Sequence, residues 1–211
     1  MRTPREIYAQ YKIMPNLQMH QLRVAAVARL ICGHTKERIN ERDVVLECLF
    51  HDMGNVVKFD LAYFPEFVQP EGQAYWESVK ADFMQKYGRE QHAANSAIAR
   101  ELGLPLQVID MMNESGFSHI SDVVEKGSPE LKVCQYADLR VSPHGIVSLD
   151  ERLQDFSLRY AKKGGVASEG TLHASRELEQ RIFAGATIRP EDINDASVAP
   201  MIEELWEYHV S

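Results

Sequence analysis

Signals that begin and end α-helices recur along this chain, whereas signals typical of β-strands do not. Residues 3–6, TPRE, combine a threonine N-cap, a proline at the first helical position and a glutamate at N3. Residues 128–130 and 148–151 begin later helices in a similar way. Gly54 suits the left-handed position that ends a helix. The pattern predicts an all-α fold.

The length of 211 residues suits one domain with its own core. Residues 59–72 contain two prolines and several aromatic side chains without clear periodicity, and we interpret them as an ordered insertion or lid. We expect a break at Gly164-Gly165. The predicted helices cover about residues 3–11, 17–32, 40–54, 73–86, 90–102, 106–113, 130–141, 148–162, 174–184 and 198–208.

The formal net charge of the chain is −8. Such a charge repels phosphate backbones and anionic lipids, so we expect neither polymeric nucleic acid nor a membrane as a partner. Residues 1–12 hold no apolar signal core, and no stretch approaches the length of a transmembrane span. Cys32, Cys48 and Cys134 form no CxxC pair and are expected to be buried thiols. The sequence predicts a cytoplasmic protein and leaves its oligomeric state open.

Four polar residues interrupt the apolar faces of three predicted helices. His20 lies one turn before the apolar residues of the second helix, and His51 and Asp52 lie one turn after those of the third. Asp138 continues the apolar face of the helix over residues 130–141. Each residue alone is more often a hydrogen-bonded core histidine or a structural carboxylate. Their shared placement in phase with apolar faces indicates a common site.

A divalent metal ion explains this placement. Burying an unpaired carboxylate costs several kcal/mol, and no cation lies on the same faces. An ion held by His20, His51, Asp52 and Asp138 neutralises both aspartates and uses both neutral imidazoles, a donor set that suits Mn²⁺, Co²⁺, Fe²⁺ or Ni²⁺. Adjacent helical residues point about 100° apart, so His51 and Asp52 can share one ion only near a helix end. We predict one such ion.

The same residues resemble the signature H…HD…D of the HD superfamily of metal-dependent phosphohydrolases. The matching stretches are MHQLRVAAVARLI around His20, VVLECLFHDMGN around His51-Asp52 and LKVCQYADLRV around Asp138. The stretch YGREQHAANSAIARELGLP is similar to the middle helix of the family. The resemblance implies a single domain over residues 1–211, with an HD-domain helical bundle at about 17–141 and a C-terminal helical extension at about 142–211.

The resemblance also implies a hydrolase acting on a small phosphorylated molecule, such as a nucleotide, through metal-activated water, with Asp52 as the catalytic residue. The predicted substrate-binding residues are Arg23, Lys58, His92 and Arg140, although each is also consistent with an ordinary surface side chain or ion-pair partner. His92 and Glu114 offer a less favoured second metal site.

Three other functions stay open on the sequence. The HD pocket can serve a non-catalytic sensor that binds a metal and a nucleotide without turnover. A di-iron oxygenase requires a fuller set of histidines, and residues 114–115 (Glu-Ser) depart from the His-His pair of binuclear relatives. A helical scaffold with a vestigial site would bind no metal.

Overall fold

The computed structural model describes residues 2–162 and 168–210 of the chain. Helices dominate these residues, which confirms the predicted all-α class. Within the described ranges, no helix combines the length and the apolar character that crossing a membrane requires. The predicted break at Gly164-Gly165 lies outside the described residues.

The α-helices are α1 (Pro4–Gln10), α2 (Pro15–Cys32), α3 (Glu41–Phe50), α4 (Gln73–Tyr87), α5 (Gln91–Leu102), α6 (Leu106–Glu114), α7 (Ile120–Lys126), α8 (Pro129–Leu139), α9 (Leu149–Lys162), α10 (Glu169–Phe183) and α11 (Asp195–Trp206). Short 3₁₀ helices cover Asn55–Lys58, Pro65–Val68, Phe117–His119 and Pro190–Asp192. Two-residue strands β1 (Val141–Ser142) and β2 (Gly145–Ile146) pair antiparallel. Helix α7 and this hairpin were not predicted from the sequence.

Helix α2 is the centre of the fold and packs against α3, α8 and α11. It begins with Pro15 at the first helical position and ends at Cys32, with Gly33 as the C-cap. Small side chains such as Ala25 and Ala26 are fully buried and let neighbouring helices approach closely. His20 therefore lies on a helix that packs against both α3 and α8, and these two helices also pack against each other.

The turn after α3 differs from the prediction. The helix ends at Phe50 rather than at Gly54, and Gly54 has φ −90°, so the predicted left-handed conformation is wrong. Glycine is required at position 54 because a side chain would not fit there. A Cβ atom at this position would lie 2.6 Å from Ala94 Cβ and 2.9 Å from the backbone nitrogen of Asn95. Helix α5 therefore packs directly on the backbone of this turn.

Arg140 ties the C-terminal helices to α8. Its guanidinium is buried and donates hydrogen bonds to the carbonyl oxygens of Val147, Pro190 and Ile193 at 2.6, 3.2 and 3.1 Å. It also donates to the Tyr136 hydroxyl at 2.8 Å. The donors of Arg140, which was predicted to bind substrate, are therefore used inside the fold.

Candidate metal centre

The four predicted metal ligands converge at one point. His20 Nε2 lies 3.1 Å from Asp138 Oδ1 and 3.8 Å from Asp52 Oδ2. His51 Nε2 lies 3.7 Å from a carboxylate oxygen of each of these aspartates. Because α3 ends at Phe50, the chain leaves the helical path where His51 and Asp52 follow, and both side chains face the same space. The arrangement offers two imidazole nitrogens and two carboxylates to one ion.

The His51 ring is oriented for metal binding. Its Nδ1 lies 3.0 Å from the carbonyl oxygen of Cys48, a contact in which the ring N–H donates. This tautomer leaves the lone pair on Nε2, which is buried and finds no hydrogen-bond partner among the described residues. Metal-ligating histidines usually donate their second ring N–H to a carbonyl or carboxylate in this way. The donor set and this buried nitrogen fit a divalent metal ion.

The electrostatics of the cluster match this orientation. Burial on its own raises the pKa of Asp138, but contacts with His20 and His51 outweigh it and hold that pKa well below the ordinary value. Burial on its own lowers the pKa of His51, whereas the carboxylates of Asp52 and Asp138 hold that pKa well above the ordinary value. Positive charge is therefore strongly favoured between these carboxylates, whether as protons or as a metal ion.

Two buried amides hold the turn that carries His51 and Asp52. Gln21 Oε1 accepts a hydrogen bond from the Asp52 backbone N–H at 3.3 Å, and Asn95 Oδ1 accepts one from Gly54 N–H at 2.5 Å. The sequence reasoning missed both residues. Each could have been recognised as a polar side chain at a buried position of a helix: Gln21 lies next to Leu22, and Asn95 lies next to Ala94.

A second buried group lies behind His51. Ligand atoms of Glu47, Cys48 and Cys134 lie within 4.8 Å of one another, and all three side chains are buried. Burial is the largest influence on the pKa of each group and raises it, which favours the neutral carboxyl and thiol forms. Cys48 and Cys134 are buried free thiols, as the sequence predicted, whereas Cys32 is a free thiol that is only partly buried.

The cluster of His20, His51, Asp52 and Asp138 opens into a cavity of about 790 Å³. One wall comes from the insertion at residues 59–72, and another comes from α9. Among the described residues, seven aromatic side chains line the cavity: Phe59, Tyr63, Phe64, Phe67, Phe117, Phe156 and Tyr160. Four cationic side chains within residues 2–162 and 168–210 also line it: Lys58, Arg152, Arg159 and Lys162.

The family of the chain follows from comparison with known proteins. A family model of the HD domain matches residues 18–140, which is more than half of the chain. The chain belongs to the HD domain family. Comparisons with curated proteins and with solved structures found no match. HD domain proteins are in general metal-dependent hydrolases, and the cluster of His20, His51 and Asp52 is compatible with the HD signature.

The predicted substrate-binding residues of the HD domain divide into two groups. Lys58 and His92 are exposed and line the cavity. Arg23 does not line it, and lies 3.2 Å from Asp195 of α11 instead. The placement of Arg23, like that of Arg140, therefore argues against the predicted contact with substrate.

The geometry does not support the less favoured second metal site, which was predicted at His92 and Glu114. His92 Nε2 lies beside the Gln91 amide at 3.1 Å, and Glu114 is exposed. Neither residue belongs to a group of three or more ligand side chains within residues 2–162 and 168–210.

The cations of α9 were missed by the sequence reasoning. Helix α9 lies outside the part of the chain that matches the HD domain, yet Arg152, Arg159 and Lys162 reach the cavity. Arg152 and Arg159 are seven residues apart, which places them on one face of the helix together with Phe156. This spacing was the available signal, but the sequence did not show which face would meet the HD core.

Proposed function

We propose that the protein is a metal-dependent phosphohydrolase that acts on a small phosphorylated molecule, such as a nucleotide. His20, His51, Asp52 and Asp138 are proposed to hold one divalent transition metal ion, with Mn²⁺, Co²⁺, Fe²⁺ and Ni²⁺ as the candidates. The observation that carries the proposal is the buried Nε2 of His51, which faces two carboxylates at 3.7 Å. When bound, the ion supplies a Lewis acid for a phosphoryl oxygen and lowers the pKa of a coordinated water.

Asp52 is the proposed catalytic residue. Asp138 contacts His20 at 3.1 Å, whereas the Asp52 carboxylate stays at least 3.7 Å from both imidazoles. Within the described residues the side chain of Asp52 accepts no hydrogen bond, so one of its oxygens is available to orient the attacking water and accept a proton from it. Its backbone is held by Gln21, which fixes where that carboxylate points.

The cavity supports the proposed substrate class. Its volume of about 790 Å³ is of the size that small-molecule sites have. Cationic side chains favour the phosphate, and the aromatic side chains offer faces on which a planar base can stack. The net charge of −8 opposes binding of a polymeric nucleic acid, whereas the cationic side chains that line the cavity remain available to one small anion.

The test combines elemental analysis with a screen for phosphate release. Purified protein is analysed for transition metals and then assayed on nucleoside mono-, di- and triphosphates and on a phosphodiester. We expect about one ion per chain and a loss of activity of about a hundredfold or more in Asp52→Asn. Asp110→Asn, an exposed aspartate on α6, is the matched control and should retain activity.

Other outcomes would select the competing functions. Tight binding of a nucleotide without phosphate release from any substrate would indicate a sensor. Two irons per chain with an oxygen-dependent optical signal would indicate an oxygenase. A wild-type protein that binds no transition metal, and that Asp52→Asn matches throughout, would indicate a scaffold and overturn the proposal.

A further inference from the structure

Arg152 is a buried cation in the wall of the metal cavity. It lies near the start of α9, is 7% exposed, and lines the same cavity as His51 and Asp138. Its Cζ atom lies 4.3 Å from the centroid of the Phe156 ring, which stacks on Phe117 at 4.5 Å. Contact with an aromatic face holds the guanidinium in one orientation.

The hydrogen-bond donors of Arg152 are incompletely used. Nη1 donates to Asp155 at 3.0 Å. Nε is buried and has no acceptor among the described residues. Asp155 is shared, because its other partner is Arg159 at 2.7 Å. A buried guanidinium with an unused N–H is costly unless an anion completes it.

The charge balance of this wall also favours an anion. Two arginines of α9 that line the cavity, Arg152 and Arg159, share one carboxylate, Asp155, so this wall carries a net positive charge, while the carboxylates of Asp52 and Asp138, which also line the cavity, are those proposed to hold the metal ion. Asp138 lies close enough to raise the pKa of Arg152, against the larger lowering that burial causes. Arginine keeps its charge in proteins, so Arg152 presents a permanent cation beside the metal centre.

We propose that Arg152 binds the phosphoryl group of the substrate beside the metal centre, in competition with the ion pair that Arg152 makes with Asp155. Arginine binds phosphate oxygens through paired N–H donors, of which Nε is one. The inference rests on the proposed function for the identity of the anion. It makes α9, which lies outside the matched HD domain, part of the substrate site.

The test measures binding of inorganic phosphate, separately from turnover. Phosphate is titrated by calorimetry into metal-free and Mn²⁺-loaded protein, with metal content measured in parallel. We expect Arg152→Gln to weaken phosphate binding at least about tenfold while metal content stays at the wild-type level. Arg152→Lys keeps the charge but loses the paired donors, and it should be intermediate. Arg176→Gln on α10, which removes an exposed pair with Asp150, is the matched control.

Asp155→Asn should change the affinity for phosphate in the direction opposite to Arg152→Gln. Removing the competing carboxylate leaves Arg152 and Arg159 free for phosphate, so binding should tighten by about threefold. If the pair between Arg152 and Asp155 is purely structural, both Arg152→Gln and Asp155→Asn should lower the melting temperature. The two variants should then not change the affinity for phosphate in opposite directions. This variant keeps the inference testable if Arg152→Gln fails to fold.

Failure of the inference is distinguishable from failure of the proposed function. Unchanged phosphate affinity in folded Arg152→Gln, or no phosphate binding by the wild type, would overturn the role of Arg152 even if phosphoesters are hydrolysed. Phosphate binding that depends on Arg152, without hydrolysis of any substrate, would uphold the role of Arg152 and contradict the proposed enzyme activity.

Discussion

Asp138 Oδ1 lies 3.1 Å from His20 Nε2, which links α8 to α2 at the metal centre. The two helices also pack against each other, so the contact is part of the interface between them. A carboxylate is thereby fixed beside an imidazole before an ion arrives, and less ordering is required when the ion binds. We therefore expect substitution of a ligand side chain to weaken metal binding while the helices stay folded.

His51→Ala should lower the affinity for Mn²⁺ at least about tenfold, because it removes a ligand nitrogen that its Cys48 contact orients. His34→Ala is the matched control, since His34 makes a similar Nδ1 contact, at 2.9 Å with Leu30, away from the cavity. Titration of metal-free protein with Mn²⁺ measures both. Equal affinities in the two variants would exclude His51 as a ligand.

Removal of the metal should destabilise the protein. An ion that binds only the folded state stabilises it by about 2.7 kcal/mol when its concentration is about a hundred times Kd. Thermal unfolding with a chelator, and again after Mn²⁺ is restored, measures the difference. Asp138→Asn should remove most of this dependence because it weakens the charge of the site. A metal-dependent shift of the same size in Asp138→Asn would contradict its assignment.

Gly54→Ala should destabilise the protein by about 1–3 kcal/mol, because the new methyl group would meet Ala94 and Asn95 of α5. Gly33→Ala is the control, since its nearest neighbours would lie 3.7 Å away and its φ is −69°. Chemical denaturation compares the two. Similar stabilities would show that α5 moves aside without cost.

Arg140→Met should lower the free energy of unfolding by about 3 kcal/mol, because buried carbonyl oxygens lose their donor. KM for the substrate should stay unchanged, since Arg140 does not line the cavity. Arg189→Met, which removes an exposed pair with Asp192, should leave unfolding unaffected. A raised KM without loss of stability would restore the original assignment of Arg140 to substrate binding.

The helical periodicity of the sequence was sufficient to predict the convergence of His20, His51-Asp52 and Asp138. A spacing of four residues fixes which face a side chain shares, so apolar neighbours revealed that these polar residues point inward. The all-α class followed from the same pattern. The short hairpin at Val141–Ile146 did not, because strands of two residues are too short to show a period.

Residues chosen for closeness in sequence were less well predicted. Arg140 lies two residues after Asp138, which on a helix is a rotation of about 200°, so it points away from the metal centre. Arg152 is far from the ligands in sequence and reaches them only through the docking of α9. Such placement depends on tertiary contacts, which local patterns do not contain.

The hydrogen bonds of Arg140 set a practical limit on how the chain can be divided. A fragment that stops at residue 140, where the family match ends, would keep the guanidinium but lose the acceptors at Val147, Pro190 and Ile193. The helix that carries Asp138 would then lose the contacts that fix its C-terminal end. We therefore expect the shortest well-folded metal-binding fragment to extend at least to Ile193, and limited proteolysis to spare the segment from 140 to 147.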